Sequence, residues 1–354
     1  MKKNDVTRIM VEAAVAKALR DMRTDPKRSV RNLVDLGCSF SGGRFQKAFF
    51  KLASNLLKNE NSAYYTLAEK LASDVHPELL QKFGVNLGYN SFTCGAQSIR
   101  EREAVCGYNI PWSLTFHLDS SENPSFEKAG ALIAEGKTLG IFTYAFFAAA
   151  PSIAPSSLIR LMRDHADCAF LLFLTSLPPD AAFLPALTAC ANAMLFLDAG
   201  QPGWEAAAKR LERQRLLYGA HQYYGEDTAQ DILSGEWMDA AAACGCAAAV
   251  CIAQPGCPPD AASRVASAVA KARTEQYRPL FLIDYYADNL SIDTVISDES
   301  CFFGITPDGR ITTSNGAGET VTGQTLGDGS LDRLLAGHRT KPCAARIDGG
   351  RPEI

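Results

Sequence analysis

Two groups of residues in this chain of 354 residues have types and spacings that could do chemistry. The first is His117 with Asp119, at the end of a strand predicted over residues 112–118. A histidine beside a carboxylate can act as a general base or supply two metal ligands. Alternatively, the histidine fills the interior of the fold and the aspartate caps the following loop. Both interpretations stay open on the sequence alone.

Other polar side chains lie on further predicted strands or just after them. They are Tyr144, Asp198, His221, Tyr223, Gln254, Asp284, Tyr285 and Asp288. In a βα barrel the carboxyl ends of the strands meet at one rim, where catalytic and binding groups gather. The candidate catalytic set is therefore His117, Asp119, Asp198, His221 and Asp284. Aspartate after a strand also commonly begins a loop, so the set predicts a pocket only if the strands bring it together.

The second group is a cluster of cysteines among the eleven of the chain: Cys244, Cys246, Cys251 and Cys257. Four thiolates can bind zinc or an iron–sulfur cluster. Their spacing matches no standard site, and the surrounding sequence is rich in alanine, where cysteine packs as a small apolar residue. We favour packing and keep a [4Fe–4S] cluster or zinc as the alternative. The odd count and irregular spacing favour a reducing compartment over a disulfide scaffold.

The elements that must position these residues follow a clear order along the chain. Residues 1–110 read as helical, with a turn predicted around Leu36–Gly43 and another around Gly84–Gly88. From residue 111, seven apolar runs of strand length alternate with amphipathic segments. Their predicted bounds are 112–118, 140–147, 169–175, 193–198, 218–224, 247–253 and 279–285. Strands that alternate with helices in this way indicate βαβ units and a parallel sheet.

The predicted fold is α/β, a partial TIM-like (βα) barrel with a helical N-terminal region and a small C-terminal β-hairpin. The predicted domains are 1–110 (helical region), 111–300 (partial barrel) and 301–354 (hairpin and mobile tail). The hairpin is expected from the turn residues Pro307-Asp308-Gly309 between two strand-like runs. An open doubly wound sheet is the alternative, because periodicity does not distinguish the two.

The segment Gly84–Phe116 resembles the N-terminal region of a radical S-adenosylmethionine family from anaerobic bacteria. The segments 125–147 and 277–311 are similar to the first helix and second strand of that family and to its last strand and C-terminal hairpin. The resemblance covers roughly residues 30–313. It implies a radical S-adenosylmethionine type of barrel.

Two departures separate this chain from that family. The family carries a CxxxCxxC triplet for a [4Fe–4S] cluster after its first strand, whereas no cysteine lies between Cys106 and Cys168 here. The family also ends its second strand in Gly-Gly-Glu-Pro, which holds the methionyl amine. The matching position here reads Ala148, Ala149, Ala150 and Pro151, and with Tyr144 it marks a degenerate S-adenosylmethionine site. The resemblance therefore implies a fold that has lost its classical radical chemistry.

We accordingly expect a cluster-free pseudoenzyme that binds a small molecule, or a partner protein such as an intact radical S-adenosylmethionine enzyme. One alternative is a non-radical enzyme with an acid–base or metal site at the barrel mouth, and another is a radical enzyme with an atypical cluster. No cofactor is favoured, and S-adenosylmethionine without a cluster is retained as an alternative. A net charge of −4 without a basic run argues against nucleic acid. The absence of a long apolar stretch argues against a membrane span, and we predict a cytoplasmic protein.

Overall fold

The computed structural model of the chain describes residues 3–40, 44–118, 125–148, 155–178, 180–297 and 299–338. Four residues of the predicted sites lie outside the described residues: Asp119, Ala149, Ala150 and Pro151. Within the described part, none of the helices combines the length and apolar composition that crossing a lipid bilayer requires.

The N-terminal part of the chain is helical, as the sequence predicts. Its elements are α1 (Lys3–Asp21), α2 (Pro26–Phe40), α3 (Arg44–Leu56), α4 (Ala63–Asp74), α5 (Pro77–Val85), a π-helical segment (Asn86–Gly95) and α6 (Ala96–Cys106). Helix α6 ends where Gly107 adopts a left-handed conformation, with a φ of 74°. This is the usual helix stop, since glycine has no Cβ to clash there.

Alternating strands and helices follow, close to the predicted positions. They are β1 (Ser113–Leu118), α7 (Ser125–Leu139), β2 (Thr143–Ala148), α8 (Pro155–Asp164), β3 (Ala169–Leu174), α9 (Phe183–Cys190), β4 (Ala193–Asp198), α10 (Trp204–Arg213), β5 (Tyr218–Tyr224), α11 (Ala229–Ser234), α12 (Glu236–Ala243), β6 (Ala248–Ala253), α13 (Pro259–Glu275), β7 (Phe281–Asp284) and α14 (Tyr285–Ser297). Strands β2, β4 and β6 are buried along their whole length. Continuous apolar runs of this kind are typical of parallel strands covered on both faces.

The remaining elements are β8 (Gly304–Ile305), β9 (Arg310–Ser314), β10 (Glu319–Thr325), a 3-10 turn (Leu326–Asp328) and α15 (Leu331–His338). All ten strands form one sheet in the order β10-β9-β8-β1-β2-β3-β4-β5-β6-β7. Strands β1 to β7 and β8 pair in parallel, and β9 and β10 are antiparallel additions at the β8 side. Strands β10 and β7 are the two edges, so this half-barrel sheet does not close.

Of the two turns predicted from glycine, the one around Gly84–Gly88 is wrong, and the one around Leu36–Gly43 is helical as far as it is described. Helix α2 continues through Gly37 to residue 40, and residues 41–43 lie outside the described part. A Cβ at Gly37 would collide with the ring of Phe50, so this glycine allows α3 to approach α2. Likewise, residues 84–88 are helical and run into the π-helical segment. There Asn86 donates to the carbonyl groups of Ala166 and Cys168 at 3.0 and 2.8 Å, which fastens the segment to the start of β3.

Helix α14 covers the inner face of the half-barrel, which we define as the face that bears Thr115, His117 and Phe147. The Tyr285 hydroxyl lies 2.7 Å from the Thr115 hydroxyl, within hydrogen-bonding distance. One turn further, Asn289 accepts a hydrogen bond of 2.6 Å from the indole of Trp112. The helix thus fills the space that an unclosed sheet would leave to solvent.

The Asp293 carboxylate of α14 is the most deeply buried link between this helix and the sheet. It is 1% exposed and accepts from the backbone N–H groups of Trp112 and Cys301 at 2.9 and 3.2 Å. Burial raises the pKa of Asp293 well above its usual range, although both N–H groups act in the opposite direction. These two bonds join α14 to the start of β1 and to the segment that leads into β8.

Asp293→Ala should lower the free energy of unfolding by about 3 kcal/mol, since two buried N–H groups lose their acceptor. Urea unfolding followed by circular dichroism measures this change. Thr294→Ala, on the exposed side of the same helix, is the matched control, and we expect it to change stability by about 0.5 kcal/mol or less. An equal effect of both substitutions would show that the Asp293 bonds do not hold the helix in place.

Candidate functional site

The candidate site centres on His117, the penultimate residue of β1. Its side chain is 30% exposed, and its Nε2 lies 2.8 Å from Oε1 of Glu319. Its neighbours in the strand, Phe116 and Leu118, are buried. His117 therefore lies at the carboxyl end of the parallel strands, which is the end where βα folds bind ligands and carry out chemistry.

Glu319 is a buried carboxylate whose hydrogen bonds are supplied by three different elements. Its side chain is 9% exposed, and besides His117 it accepts from the hydroxyl of Thr312 at 2.6 Å and that of Tyr286 at 3.1 Å. Burial alone would raise the pKa of Glu319, but the bonds with His117, Thr312 and Tyr286 outweigh it, so the pKa lies below its ordinary value. Glu319 is thus an ionised group that fixes the orientation of the imidazole.

The C-terminal strands bring Glu319 to this place. Glu319 begins β10, which pairs with β9, and β9 pairs with β8, the neighbour of β1. A Cβ at Gly304 of β8 would collide with the Thr312 hydroxyl and lie 2.8 Å from Oε2 of Glu319. Glycine at position 304 therefore makes room for the carboxylate and its partner.

A row of aromatic rings continues from His117 across the inner face. His117, Phe147, Phe173 and Phe196 occupy paired positions on β1 to β4. Their rings stack with centroid distances of 5.1, 4.4 and 4.7 Å. Tyr285 covers the row with edge contacts to Phe147 and Phe173. The row is therefore packed core, and its exposed end is the imidazole.

The contact between His117 and Glu319 determines what the imidazole can do chemically. A neutral imidazole that donates from Nε2 to Glu319 leaves Nδ1 as an acceptor. That atom can accept a hydrogen bond from a ligand or take up a proton, and the carboxylate would stabilise the resulting imidazolium.

Asp198 and His221, both predicted for the site, are used elsewhere. Asp198 is 5% exposed, and its carboxylate accepts from the N–H of Gly200 at 2.9 Å and from the amide of Gln201 at 3.2 Å. It therefore caps the loop after β4, which is the common structural role of an aspartate at the end of a strand. His221 is 1% exposed, and its ring packs edge-on against Phe173.

The environment of His221 keeps it neutral. Burial lowers the pKa of His221 to about 4, although the Asp198 carboxylate and the carbonyl of Phe196 act in the opposite direction. Its Nδ1 has no hydrogen-bond partner within the described residues. Among those residues no hydrogen bond links either His221 or Asp198 to His117 or Glu319, although Tyr223, whose pKa burial raises, lies close enough to the Asp198 and Glu319 carboxylates for both to raise that pKa further.

Asp284 ends β7, directly before α14, and stabilises the first turn of that helix. Its carboxylate accepts from the N–H of Ala287 at 2.9 Å and from the hydroxyl of Tyr224 at 3.2 Å. Burial raises its pKa to about 6, even though both of these bonds lower it. Its contacts are those of a helix cap, and they do not include His117.

The predicted S-adenosylmethionine position is only partly described. Ala148 ends β2 and is buried. Tyr144 is fully buried, and its hydroxyl donates to the carbonyl of Ile141 at 2.7 Å and lies 3.2 Å from that of Ile133. Side chains alternate along a strand, so Tyr144 faces α7 while Phe147 faces inward. The structure therefore does not bring Tyr144 to the site of His117.

The four clustered cysteines do not come together either. Cys244 and Cys246 precede β6, Cys251 lies within it and Cys257 follows it. A strand of six residues spans about 20 Å, so thiols at its two ends do not share one metal. In keeping with this, the described residues contain no group of three or more His, Cys, Asp or Glu side chains arranged to hold a metal ion. Burial raises the pKa of the Cys251 thiol well above its usual range, as expected of a packed cysteine.

Sequence reasoning missed Glu319, Thr312 and Tyr286. Glu319 lies 202 residues after His117, and no local pattern connects the two. One signal was available, because Glu319 is the sole acidic residue between Asp308 and Asp328.

Comparisons with known proteins find no matching family model and no matching curated protein. Among solved structures, SuiB from Streptococcus suis is 10% identical, with a TM-score of 0.46, over 75% of this chain and 81% of SuiB. The 3-dehydroquinate dehydratase from Geobacillus kaustophilus is 13% identical, with a TM-score of 0.39, over 63% of this chain and 89% of the dehydratase. At this level of similarity neither structure bears on what this chain does.

Asp284→Asn should stabilise the protein more at pH 7.5 than at pH 5. Because folding raises the pKa of Asp284 to about 6, the ionised form costs stability above that pH, and the wild type gains stability as the pH falls through it. Asparagine keeps an acceptor without the charge. The variant's gain over wild type in free energy of unfolding should be about 1.5 kcal/mol larger at pH 7.5. Urea unfolding at both pH values tests this, with the exposed Asp227→Asn as the control. A gain that does not change with pH would contradict it.

Glu319→Gln should show the opposite pH dependence. The pKa of Glu319 is lowered in the folded state, so its contribution to stability is present above pH ~4.3 and is lost as the pH falls through the folded pKa. We expect a loss of about 2 kcal/mol at pH 7 that shrinks towards pH 3.5. Thermal unfolding over this range measures it. The exposed Glu127→Gln of α7 is the control, and a loss that stays constant down to pH 3.5 would contradict the prediction.

Proposed function

We propose that this chain is a cluster-free, radical S-adenosylmethionine-like protein that binds a small molecule at the carboxyl end of β1. The observation that carries the proposal is the partly exposed imidazole of His117, held at 2.8 Å by the buried carboxylate of Glu319. A binding site needs a polar group with a fixed orientation that solvent and ligand can reach. His117 meets this requirement among the predicted site residues that the structure describes, whereas Asp198, His221 and Asp284 are buried.

The donor set after β1 does not fit an iron–sulfur cluster. A [4Fe–4S] cluster with an open iron site needs three thiolates, and residues 107–167 contain no cysteine. The position that would anchor a methionyl amine has alanine in place of the carboxylate. These departures support a binding protein without its own cluster. S-adenosylmethionine remains a ligand to test, and an intact radical S-adenosylmethionine enzyme remains a partner to test.

A second candidate function is acid–base catalysis without a radical. The hydrogen bond between His117 and Glu319 favours it specifically, because a carboxylate behind an imidazole is the usual way to orient and strengthen a general base. Binding and catalysis here use the same imidazole. A binding protein leaves its ligand chemically unchanged, whereas an enzyme releases a product.

The first test is anaerobic purification, followed by iron, sulfide and zinc analysis and a visible absorption spectrum. We expect a colourless protein without stoichiometric iron or sulfide, because the thiolates that a cluster requires are missing. Stoichiometric iron and sulfide would contradict the proposal.

The second test is calorimetric titration of the wild type with S-adenosylmethionine and S-adenosylhomocysteine. If either binds at the proposed site, His117→Ala should weaken binding about tenfold, the loss of one hydrogen bond to a charged group. His76→Ala, at the start of α5, should leave binding unchanged. Binding of unchanged affinity in His117→Ala would show that the ligand binds at another site. Chromatography of the recovered ligand shows whether it was altered, which separates binding from catalysis.

A further inference from the structure

A groove of about 260 Å³ lies away from His117, between α1, α5 and the end of α9. Because α9 leads into β4, the groove is at the amino ends of the strands, the opposite end of the sheet from His117. Its polar lining comes from α1, α5 and the π-helical segment: Arg8, Glu12, Glu78, Gln81, Lys82 and Asn86. The side-chain amide of Asn86 is already bonded to two backbone carbonyl groups.

Lys82 is a half-buried cation in the groove wall. Its ammonium donates to the carbonyl of Cys190 at 2.7 Å, and within the described residues it pairs with no carboxylate. Burial lowers the pKa of Lys82, and the nearby positive charge of Arg8 lowers it further. An ammonium group has three N–H donors. The bond to Cys190 caps the last turn of α9 and uses one of them, which leaves donors for a ligand.

The acidic residues of the groove are not equivalent. Glu12 accepts from Arg8 at 2.9 Å, and its backbone carbonyl accepts from Gln81 at 3.1 Å. Glu78, by contrast, is exposed and forms no ion pair within the described residues. It lies one helical turn before Lys82, where an ion pair between the two would be usual. Because Lys82 reaches to Cys190 instead, the groove presents one available cation and one available anion.

The rest of the wall is apolar. Val85, 2% exposed, and Ala191, 7% exposed, line it together with Ala189. Ala191 ends α9 in a left-handed conformation, with a φ of 55°. A small apolar surface beside a separated cation and anion is complementary to a molecule that carries both charges on one carbon and an aliphatic group beside them.

We propose that this groove binds a free α-amino acid with an aliphatic side chain. Its carboxylate would bind Lys82, with Arg8 nearby, and its ammonium group would bind Glu78. The aliphatic side chain would contact Val85 and the two alanines. This inference is independent of the proposed function at His117.

Calorimetric titration of the full chain with three matched probes tests the proposal. L-leucine carries both charges, 4-methylpentanoate lacks the ammonium group and 3-methylbutylamine lacks the carboxylate. We expect leucine to bind about tenfold more tightly than either half-probe, since each lacks one charge-assisted contact. No detectable binding of leucine at millimolar concentration, or equal binding of 4-methylpentanoate, would overturn the proposal.

Variants locate the site. Lys82→Met and Glu78→Gln should each weaken leucine binding about tenfold, whereas Lys128→Met and Glu127→Gln on the exposed face of α7 should not change it. Lys82→Met also removes the cap of α9, so the exposed Glu78→Gln and the wild-type probe series decide the question if Lys82→Met does not fold. His117→Ala should leave leucine binding unchanged, and loss of leucine binding in His117→Ala would place leucine at the other site and overturn this one.

Discussion

The structure depends on covering the inner face of a sheet that does not close. Ten strands in one open sheet leave a concave surface lined with apolar and aromatic side chains, and exposing it to water would be unfavourable. Helix α14 covers it. Its attachment is polar as well as apolar, through the Tyr285 and Thr115 hydroxyls, the bond from Trp112 to Asn289 and the buried Asp293.

This filling decides where chemistry is possible. In a barrel with an open mouth, residues from many strand ends can meet around one ligand. Here the rings of Phe147, Phe173 and Phe196 are stacked beneath Tyr285. Solvent reaches the row at its His117 end, where the imidazole meets Glu319. That carboxylate comes from outside the βα units, on a strand added beside β1, so the site belongs jointly to the barrel and to the C-terminal strands.

The buried ionisable groups of this protein show that a shifted pKa does not by itself mark a functional site. Asp284 and Asp293 both have raised pKa values because they are buried, and both hold α14 through backbone N–H groups. The pKa of His221 is lowered for the same reason. Exposure separates these groups from His117, whose side chain a ligand can reach. In the groove near α1 the distinction is pairing: Arg8 and Glu12 form an ion pair, whereas Glu78 and Lys82 form none within the described residues.

The amino-acid sequence by itself determined most of the secondary structure of the half-barrel, because its parallel strands are short, mostly apolar runs that alternate with helical segments, and such patterns are local. The sequence also determined that the segment after β1 has no cysteine before Cys168. That segment therefore supplies no thiolate for an iron–sulfur cluster, whatever its fold. Only the tertiary structure decided that Cys246 and Cys257 lie at opposite ends of β6, that Tyr144 faces α7, and that Gly37 lies within a helix. It alone paired His117 with Glu319, because hydrogen bonds across 202 residues depend on the order of strands in the sheet, which no local pattern specifies.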